Sequence, residues 1–209
     1  MITVFVQTIN RMRDSWGETR ASIESSDIGK NFLVLHQGEN TTARQHFLGV
    51  LETMSKCSTE WALRLEDDVL VNQHILHNLR KWPAKYDERF GGGWCFDAGG
   101  VTRTVHDRMY GRQGNDKWHS GTLHCCQGVL LRTEEISKLR ILCEEWFSKN
   151  PGRLSQDIAL SNAIAASGKQ ICIHSPSLLE HLVRYQSTLK NAHTRSHTSE
   201  GTFLPEWRR

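Results

Sequence analysis

Several signatures of common protein classes are missing from this sequence of 209 residues. It has no run of about 18 apolar residues, which a membrane-spanning helix would need, and its start lacks the basic and apolar regions of a secretion signal. The six cysteines include no C-x-x-C pair, so we expect reduced thiols that pack as small apolar side chains. These absences predict a cytoplasmic protein without a membrane segment.

Motifs of several enzyme classes are missing too. There is no P-loop, no G-x-G-x-x-G after the first predicted strand and no G-x-S-x-G, which argues against a P-loop kinase, a dinucleotide dehydrogenase and a serine hydrolase. The formal net charge of +3, with histidines neutral, is too small to indicate nucleic-acid binding by itself. One group of soft metal ligands matches no standard zinc spacing, so we do not predict zinc there. That group comprises His119, His124, Cys125 and Cys126.

Apolar runs and helical patterns alternate along the first part of the chain. Residues 2–6, 31–36 and 61–65 predict strands, and helices are predicted in the two connections between them. Thr41 or Thr42 can cap the second of these helices. Because connections of this length suit parallel crossovers, we expect the three strands to end at one edge of a sheet.

The rest of the chain continues the same alternation. Its predicted elements are a helix at residues 75–82, a short strand between flexible turns within 91–100, a strand at 126–132, a helix capped by Thr133, a helix capped by Ser155 that ends at Gly168, and a last strand at 170–174. The predicted fold class is therefore α/β, with an open, mostly parallel sheet flanked by helices. We expect a single domain over residues 1–187, followed by a basic tail over residues 188–209.

Three consecutive carboxylates follow the third predicted strand: Glu66, Asp67 and Asp68. Adjacent anions repel one another, so the cluster destabilises the fold unless a cation satisfies it. At the carboxyl edge of an open α/β sheet that cation is usually a divalent metal with a phosphorylated ligand, and oxygen ligands favour Mg²⁺ or Mn²⁺. The pattern indicates a D-x-D-like element in which Asp68 binds the metal and a preceding carboxylate contacts a ribose or a water. A surface acid cluster without a ligand is the alternative.

A bound nucleotide would need further contacts, and two places in the sequence supply candidates. Thr8, Asn10 and Arg11 follow the first strand and would line the same edge of the sheet. Arg44 lies in the first turn of a predicted helix, where the helix dipole disfavours a cation. That placement favours a nucleobase carbonyl or a phosphate as the partner of Arg44 over a solvated surface position.

Two residues of the second half have both a structural and a functional interpretation. Asp157 lies in the first turn of a helix, where the dipole stabilises an acid, and a carboxylate there could also be a general base for an acceptor hydroxyl. His181 follows the last predicted strand. It could complete the metal coordination begun by Asp68, or it could be one ordinary histidine among eleven.

Taken in chain order, these motifs resemble the GT-A class of nucleotide-sugar glycosyltransferases. The resemblance rests on the first strand with its polar loop, on Arg44, on the three acids and on the helix that carries Asp157, and it spans most of residues 1–187. Residues 176–181, together with Ser187, are similar to the end of the catalytic domain in the N-acetylglucosaminyltransferase IV branching enzymes.

The resemblance implies a metal-dependent transfer of a sugar from a UDP-sugar to an acceptor hydroxyl, with inversion at the anomeric carbon. It implies that Asp68 and His181 hold Mn²⁺ or Mg²⁺. It further implies that Glu66 and Asp67 contact the ribose or the sugar and that Asp157 is the catalytic base.

Two acceptors are compatible with the sequence. One is a bacterial surface glycan, and the other is a hydroxymethylated base in double-stranded DNA, flipped out for a virus-encoded enzyme in an infected cell. DNA phosphates would be bound by the basic tail and by Arg103, Arg108, Arg112 and Lys117, in a span of little periodicity. A non-catalytic nucleotide- or carbohydrate-binding module and a nucleotidyltransferase are the remaining alternatives.

Overall fold

A computed structural model describes residues 1–8, 15–95, 116–123, 127–153, 155–174 and 177–182. Some of the sequence predictions lie outside these residues. They are the predictions for Asn10, Arg11, Arg103, Arg108, Arg112, the side chain of Lys117, His124, Cys125, Cys126, Ser187 and the basic tail.

The described strands form one large sheet and one small sheet. In chain order they are β1 (Ile2–Thr8), β2 (Phe32–His36), β3 (Trp61–Glu66), β4 (Val69–Val71), β5 (Phe90–Trp94), β6 (Lys117–His119), β7 (Gly128–Arg132), β8 (Gln170–Ile173) and β9 (Leu179–His181). The large sheet has the order β2-β1-β3-β7-β5-β8-β6, and the small sheet pairs β4 with β9. Among the described strands, only β7 and β6 of the large sheet run against the common direction. The structure therefore confirms the predicted open, mostly parallel α/β sheet.

Helices cover both faces of the large sheet. They are α1 (Ser15–Ser25), α2 (Ala43–Met54), α3 (Ile75–Lys81), a short 3-10 helix (Pro83–Tyr86), α4 (Thr133–Lys149) and α5 (Gln156–Ala166). Successive side chains of a strand point to opposite faces, so Val4 and Val6 of β1 pack under α1 and α3. Phe5 of the same strand packs under α2, α4 and α5. Burial on both faces explains why β1 is a continuous apolar run.

Helix starts agree with the sequence at one place and differ at two. Thr42 caps α2, and its side chain and that of Gln45 form a reciprocal capping box. The prediction for Thr133 was wrong, because Thr133 is the first helical residue of α4 and Arg132 precedes it as the cap. Ser155 occupies the cap position of α5, but its hydroxyl donates to the carboxylate of Asp157 and does not accept a backbone N–H.

The glycine-rich stretch also differs from its prediction. Its glycines were expected to form flexible turns around a short strand, yet three of them lie within the buried strand β5. A side chain at Gly91 would meet Ile164 of α5 at 2.6 Å, and one at Gly93 would collide with Trp82. The glycines therefore let a helix and an indole ring approach the strand closely.

The cysteines were expected to be reduced thiols that pack as small apolar side chains. The described cysteines, Cys57, Cys95, Cys143 and Cys172, are free thiols, and the last three are buried. Burial raises the pKa of Cys95 and of Cys143 to about 12, which suits their packing as apolar side chains. In the described part of the chain, no helix has both the length and the apolar character that crossing a membrane requires.

Candidate active site

The predicted site residues lie where the strand order of the large sheet reverses. From β1 the chain passes to β2 on one side and then to β3 on the other, so the carboxyl ends of β1 and β3 lie side by side at the point where the order reverses. Thr8 ends β1, and Glu66 ends β3. The acids therefore occupy the position at which open α/β sheets bind ligands.

Asp67 is held by residues of β1 and α1. The hydroxyl of Thr8 donates to Asp67 Oδ2 at 2.6 Å, in a buried, charge-assisted hydrogen bond. The hydroxyl of Thr19 donates to the carbonyl of Asp67 at 3.0 Å and accepts from the N–H of Val69 at 3.1 Å. These contacts fix the turn between β3 and β4.

Asp68 and His181 approach each other through the small sheet. Val69 pairs with His181 in the antiparallel ladder of β4 and β9, and the N–H of Leu182 donates to the carbonyl of Asp68 at 2.8 Å. His181 Nε2 lies 3.4 Å from Asp68 Oδ2, and the two side chains are only 12% and 11% exposed. The structure thus brings together the two residues for which metal binding was predicted.

Glu66 lies next to Asp67 in the chain and beside the buried cation Arg64. Its carboxylate is 3.5 Å from Arg64 Nη2 and is 30% exposed. Burial raises the pKa of Glu66 to about 7, the positive charge of Arg64 opposes that rise, and the negative charges of Asp68 and Asp157 add to it. Arg64 also donates to Gln156, the residue before Asp157, and so connects Glu66 with the start of α5.

Asp157 lies in the first turn of α5, where the helix dipole favours its negative charge. Its Oδ1 accepts from the hydroxyl of Ser155 and from the N–H of Ile158, the latter at 2.9 Å. The side chain is half-buried. The role of Asp157 as a general base stays a prediction.

Arg44 contacts a different neighbour. Its guanidinium lies 4.9 Å from the ring centroid of Phe147 on α4, in a cation–π contact. The backbone next to Arg44 is linked to the start of α5, because Gln156 Nε2 donates to the carbonyl of Ala43 at 3.5 Å. The roles of Thr8 and Arg44 in nucleotide binding stay predictions.

The donor set around Asp68 can be tested against the predicted metal. Within the described residues, no group of three or more histidine, cysteine or acidic side chains could hold an ion. One carboxylate and one imidazole suit Mn²⁺ or Mg²⁺ when the ligand's phosphate oxygens and waters complete the coordination. The residues therefore fit a metal that arrives with a phosphorylated ligand.

Sequence reasoning missed four residues that support the site: Gln7, Thr19, Arg64 and Gln156. Arg64 donates hydrogen bonds to Gln7 on β1 and to Gln156 on α5, and Thr19 donates to the carbonyl of Asp67 in the turn between β3 and β4. The one available signal was Arg64 itself, a charged residue inside an otherwise apolar strand.

His119 belongs to the group whose spacing matches no standard zinc site. Its described contact is between Nε2 and the carbonyl of Thr122 at 3.4 Å.

Comparisons with known proteins give evidence on the fold. No family model and no curated protein matches the sequence. A glycosyltransferase involved in the glycosylation of the major capsid of PBCV-1 has a similar structure, with a TM-score of 0.51, 12% identity, and coverage of 87% of this chain and 94% of that chain. A protein from STIV is similar with a TM-score of 0.54, 14% identity, and coverage of 87% and 85%.

These likenesses support the GT-A-like fold that the sequence motifs indicated. At such low identity they concern the fold alone, since one fold hosts many functions. The similarity to the N-acetylglucosaminyltransferase IV enzymes stays a prediction. The chain has a mixed α/β fold similar to that of a known glycosyltransferase, with its acid cluster at the carboxyl end of β3.

Proposed function

We propose that this protein is a metal-dependent, inverting glycosyltransferase that moves a sugar from a UDP-sugar to an acceptor hydroxyl. The observation that carries the proposal is the 3.4 Å approach of His181 to Asp68 at the carboxyl end of β3. Arg64 links this region to the start of α5, because it lies 3.5 Å from Glu66 and donates to Gln156, the residue before Asp157. A transfer reaction needs a donor site and a base for the acceptor, and these residues supply groups for both.

The UDP-sugar donor would bind at the turn between β3 and β4, which carries Asp67 and Asp68. Asp68 and His181 would hold Mn²⁺ or Mg²⁺, while Glu66 and Asp67 would contact the ribose or the sugar. The bound ion would supply charge neutralisation for the departing diphosphate. Thr8 holds the Asp67 carboxylate in one orientation, so this carboxylate would not have to reorient when the donor binds. The nucleotide contacts would be completed by Asn10, Arg11 and Arg44.

The acceptor half would use Asp157. Its carboxylate would accept the proton of the acceptor hydroxyl while that oxygen attacks the anomeric carbon from the face opposite to UDP. The new glycosidic bond forms as the bond to UDP breaks, which inverts the anomeric configuration. The acceptor is a glycan or a hydroxymethylated base in double-stranded DNA.

A donor screen tests this function. UDP release is measured for a panel of UDP-sugars with and without Mn²⁺, in the presence of glycan acceptors and of hydroxymethylated duplex DNA. We expect Mn²⁺-dependent UDP release that one acceptor stimulates. Pyrophosphate release would indicate a nucleotidyltransferase, and UDP binding without turnover would indicate a binding module. DNA binding that does not weaken as salt rises would contradict the DNA acceptor.

A further inference from the structure

Arg64 is a buried cation in the middle of the large sheet. It lies on β3, and its side chain is among the largest that are fully buried. A buried charge destabilises a fold unless its partners are well placed, and an apolar side chain would fill the same strand position without that penalty. The burial of Arg64 therefore indicates that its guanidinium has a role other than packing.

The contacts of Arg64 converge on the start of α5. Its Nη1 donates to Gln7 Oε1 at 2.5 Å and to Gln156 Oε1 at 3.4 Å. Gln7 Nε2 donates to the same oxygen of Gln156 at 3.1 Å. The first residue of α5 is thus tied to β1 and β3 at once. The ring of Phe47, 5.4 Å from the guanidinium carbon, supports the cation from one side.

Gln156 immediately precedes Asp157 in the chain. The contacts of Asp157 with Ser155 and Ile158 orient its carboxylate relative to its own helix, but they do not fix that helix relative to the sheet. The link from Gln156 to the strands fixes the first turn of that helix, and buried residues such as Ile164 hold its later turns. Because Arg64 also lies 3.5 Å from Glu66, one guanidinium connects the acid cluster with the helix that carries Asp157.

We propose that Arg64 is a positioning residue that acts through Gln156 to set Asp157 at a fixed distance from the donor-side acids. Its kinetic consequence rests on the proposed function. The guanidinium is excluded from solvent, so we expect it to act through its neighbours. A displacement of α5 by about 1 Å would separate the base from the acceptor oxygen and lower turnover by about 100-fold.

Gln156→Met tests the link without leaving a buried charge alone, since Arg64 keeps Gln7 and Glu66. We expect kcat to fall by about 10- to 100-fold, while KM for the UDP-sugar and Kd for UDP change less than about twofold. The matched control is Gln170→Met. Gln170 donates to Ser120 at 2.7 Å elsewhere in the sheet, and its loss should leave kcat unchanged.

Arg64→Lys is the second variant, because it keeps the charge and removes the planar fork that reaches two partners. It should lower kcat in the same way as Gln156→Met. The double variant should lose no more than the more damaging single variant, because both changes break one link. Losses that multiply would overturn the inference.

The amide of Ile158 provides a readout that needs no activity, since it donates to Asp157. Hydrogen exchange at this amide should be faster in Gln156→Met than in the wild type, and unchanged in Gln170→Met. In an active enzyme, an unchanged kcat for Gln156→Met overturns the inference. A wild-type protein that releases no UDP from any donor contradicts the proposed function. Hydrogen exchange at Ile158 in Gln156→Met then tests the positioning role by itself. Faster exchange than in the wild type supports that role, and unchanged exchange overturns it.

Discussion

His181 Nε2 lies 3.4 Å from a carboxylate oxygen of Asp68, and both side chains are almost completely buried. The backbone ladder of β4 and β9 holds them there, because Val69 pairs with His181 itself. An imidazole and a carboxylate at this distance can share one proton or one cation.

The first prediction concerns this pair. Asp68→Ala and His181→Ala should each weaken Mn²⁺-dependent UDP binding by at least about tenfold, as loss of a group that orients or binds a metal does. Isothermal titration calorimetry with and without Mn²⁺ measures the effect. The control is Glu180→Ala, since Glu180 pairs with Leu70 and its side chain points to the other face of β9. Unchanged affinity in both alanine variants would remove the pair from the donor site.

The second prediction separates the base from binding. Asp157→Asn should lower kcat by about 100-fold or more, because a general base contributes about 10² to 10⁴ in rate, while UDP affinity stays within about twofold. Steady-state UDP release and calorimetry give the two values. Glu134→Gln is the matched control, since Glu134 is also an acid in the first turn of a helix, on α4. Equal losses of turnover and UDP binding would contradict the assignment of Asp157 as the base.

The third prediction concerns the support of Asp67. Thr8→Val keeps the side-chain shape and removes the hydroxyl that donates to the carboxylate, so the free energy of unfolding should fall by about 1.5–3 kcal/mol. Donor affinity should fall as well. Urea denaturation measures the first effect. Thr3→Val, at the other end of β1, removes a neutral contact of 2.7 Å with Thr59 and should cost about 1 kcal/mol without changing donor affinity. A similar donor affinity in both valine variants would show that Thr8 acts on stability alone.

The fourth prediction is a pH dependence. The pKa of Glu66 is raised from 4.5 to about 7, so between these values the folded state binds more protons than the unfolded state. Stability from this group is therefore fully present below about pH 4.5 and is lost as pH rises through about 7. Glu66→Gln resembles the protonated carboxyl and removes this dependence.

Denaturant unfolding at several pH values between 5 and 8 compares the two proteins. The free energy of unfolding of the wild type, relative to that of Glu66→Gln, should fall as pH rises across this range. The total change should stay below about 3 kcal/mol, because solvent screens a side chain that is 30% exposed. A difference that does not vary with pH would contradict the raised pKa.

The parts of the fold that were predictable are those with a strong local pattern. The strands that became β1 and β3 are apolar runs of sufficient length, and α2 has both its periodicity and its cap at Thr42. The three-residue strands β4 and β9 are too short for any period, so the small sheet that holds His181 could not be foreseen. Only the backbone pairing reveals it.

The supporting residues of the site were harder to predict for a different reason. Arginine and glutamine are mostly exposed in proteins, so nothing in the sequence places Arg64, Gln7 and Gln156 together in a buried network. Their contacts depend on three elements far apart in the chain. The carboxylates themselves were predictable, because adjacent acids at the end of an apolar strand are unfavourable without a partner.

The pairing of β4 with β9 has a consequence for how the protein matures. During synthesis the amino-terminal half emerges first, and with it β3 and Asp68, whereas His181 arrives only after all the other described elements have been made. A ribosome-bound chain that ends before β9 therefore has the acids without their histidine. Affinity for UDP with Mn²⁺ should appear late, as a sign that the last strand has docked.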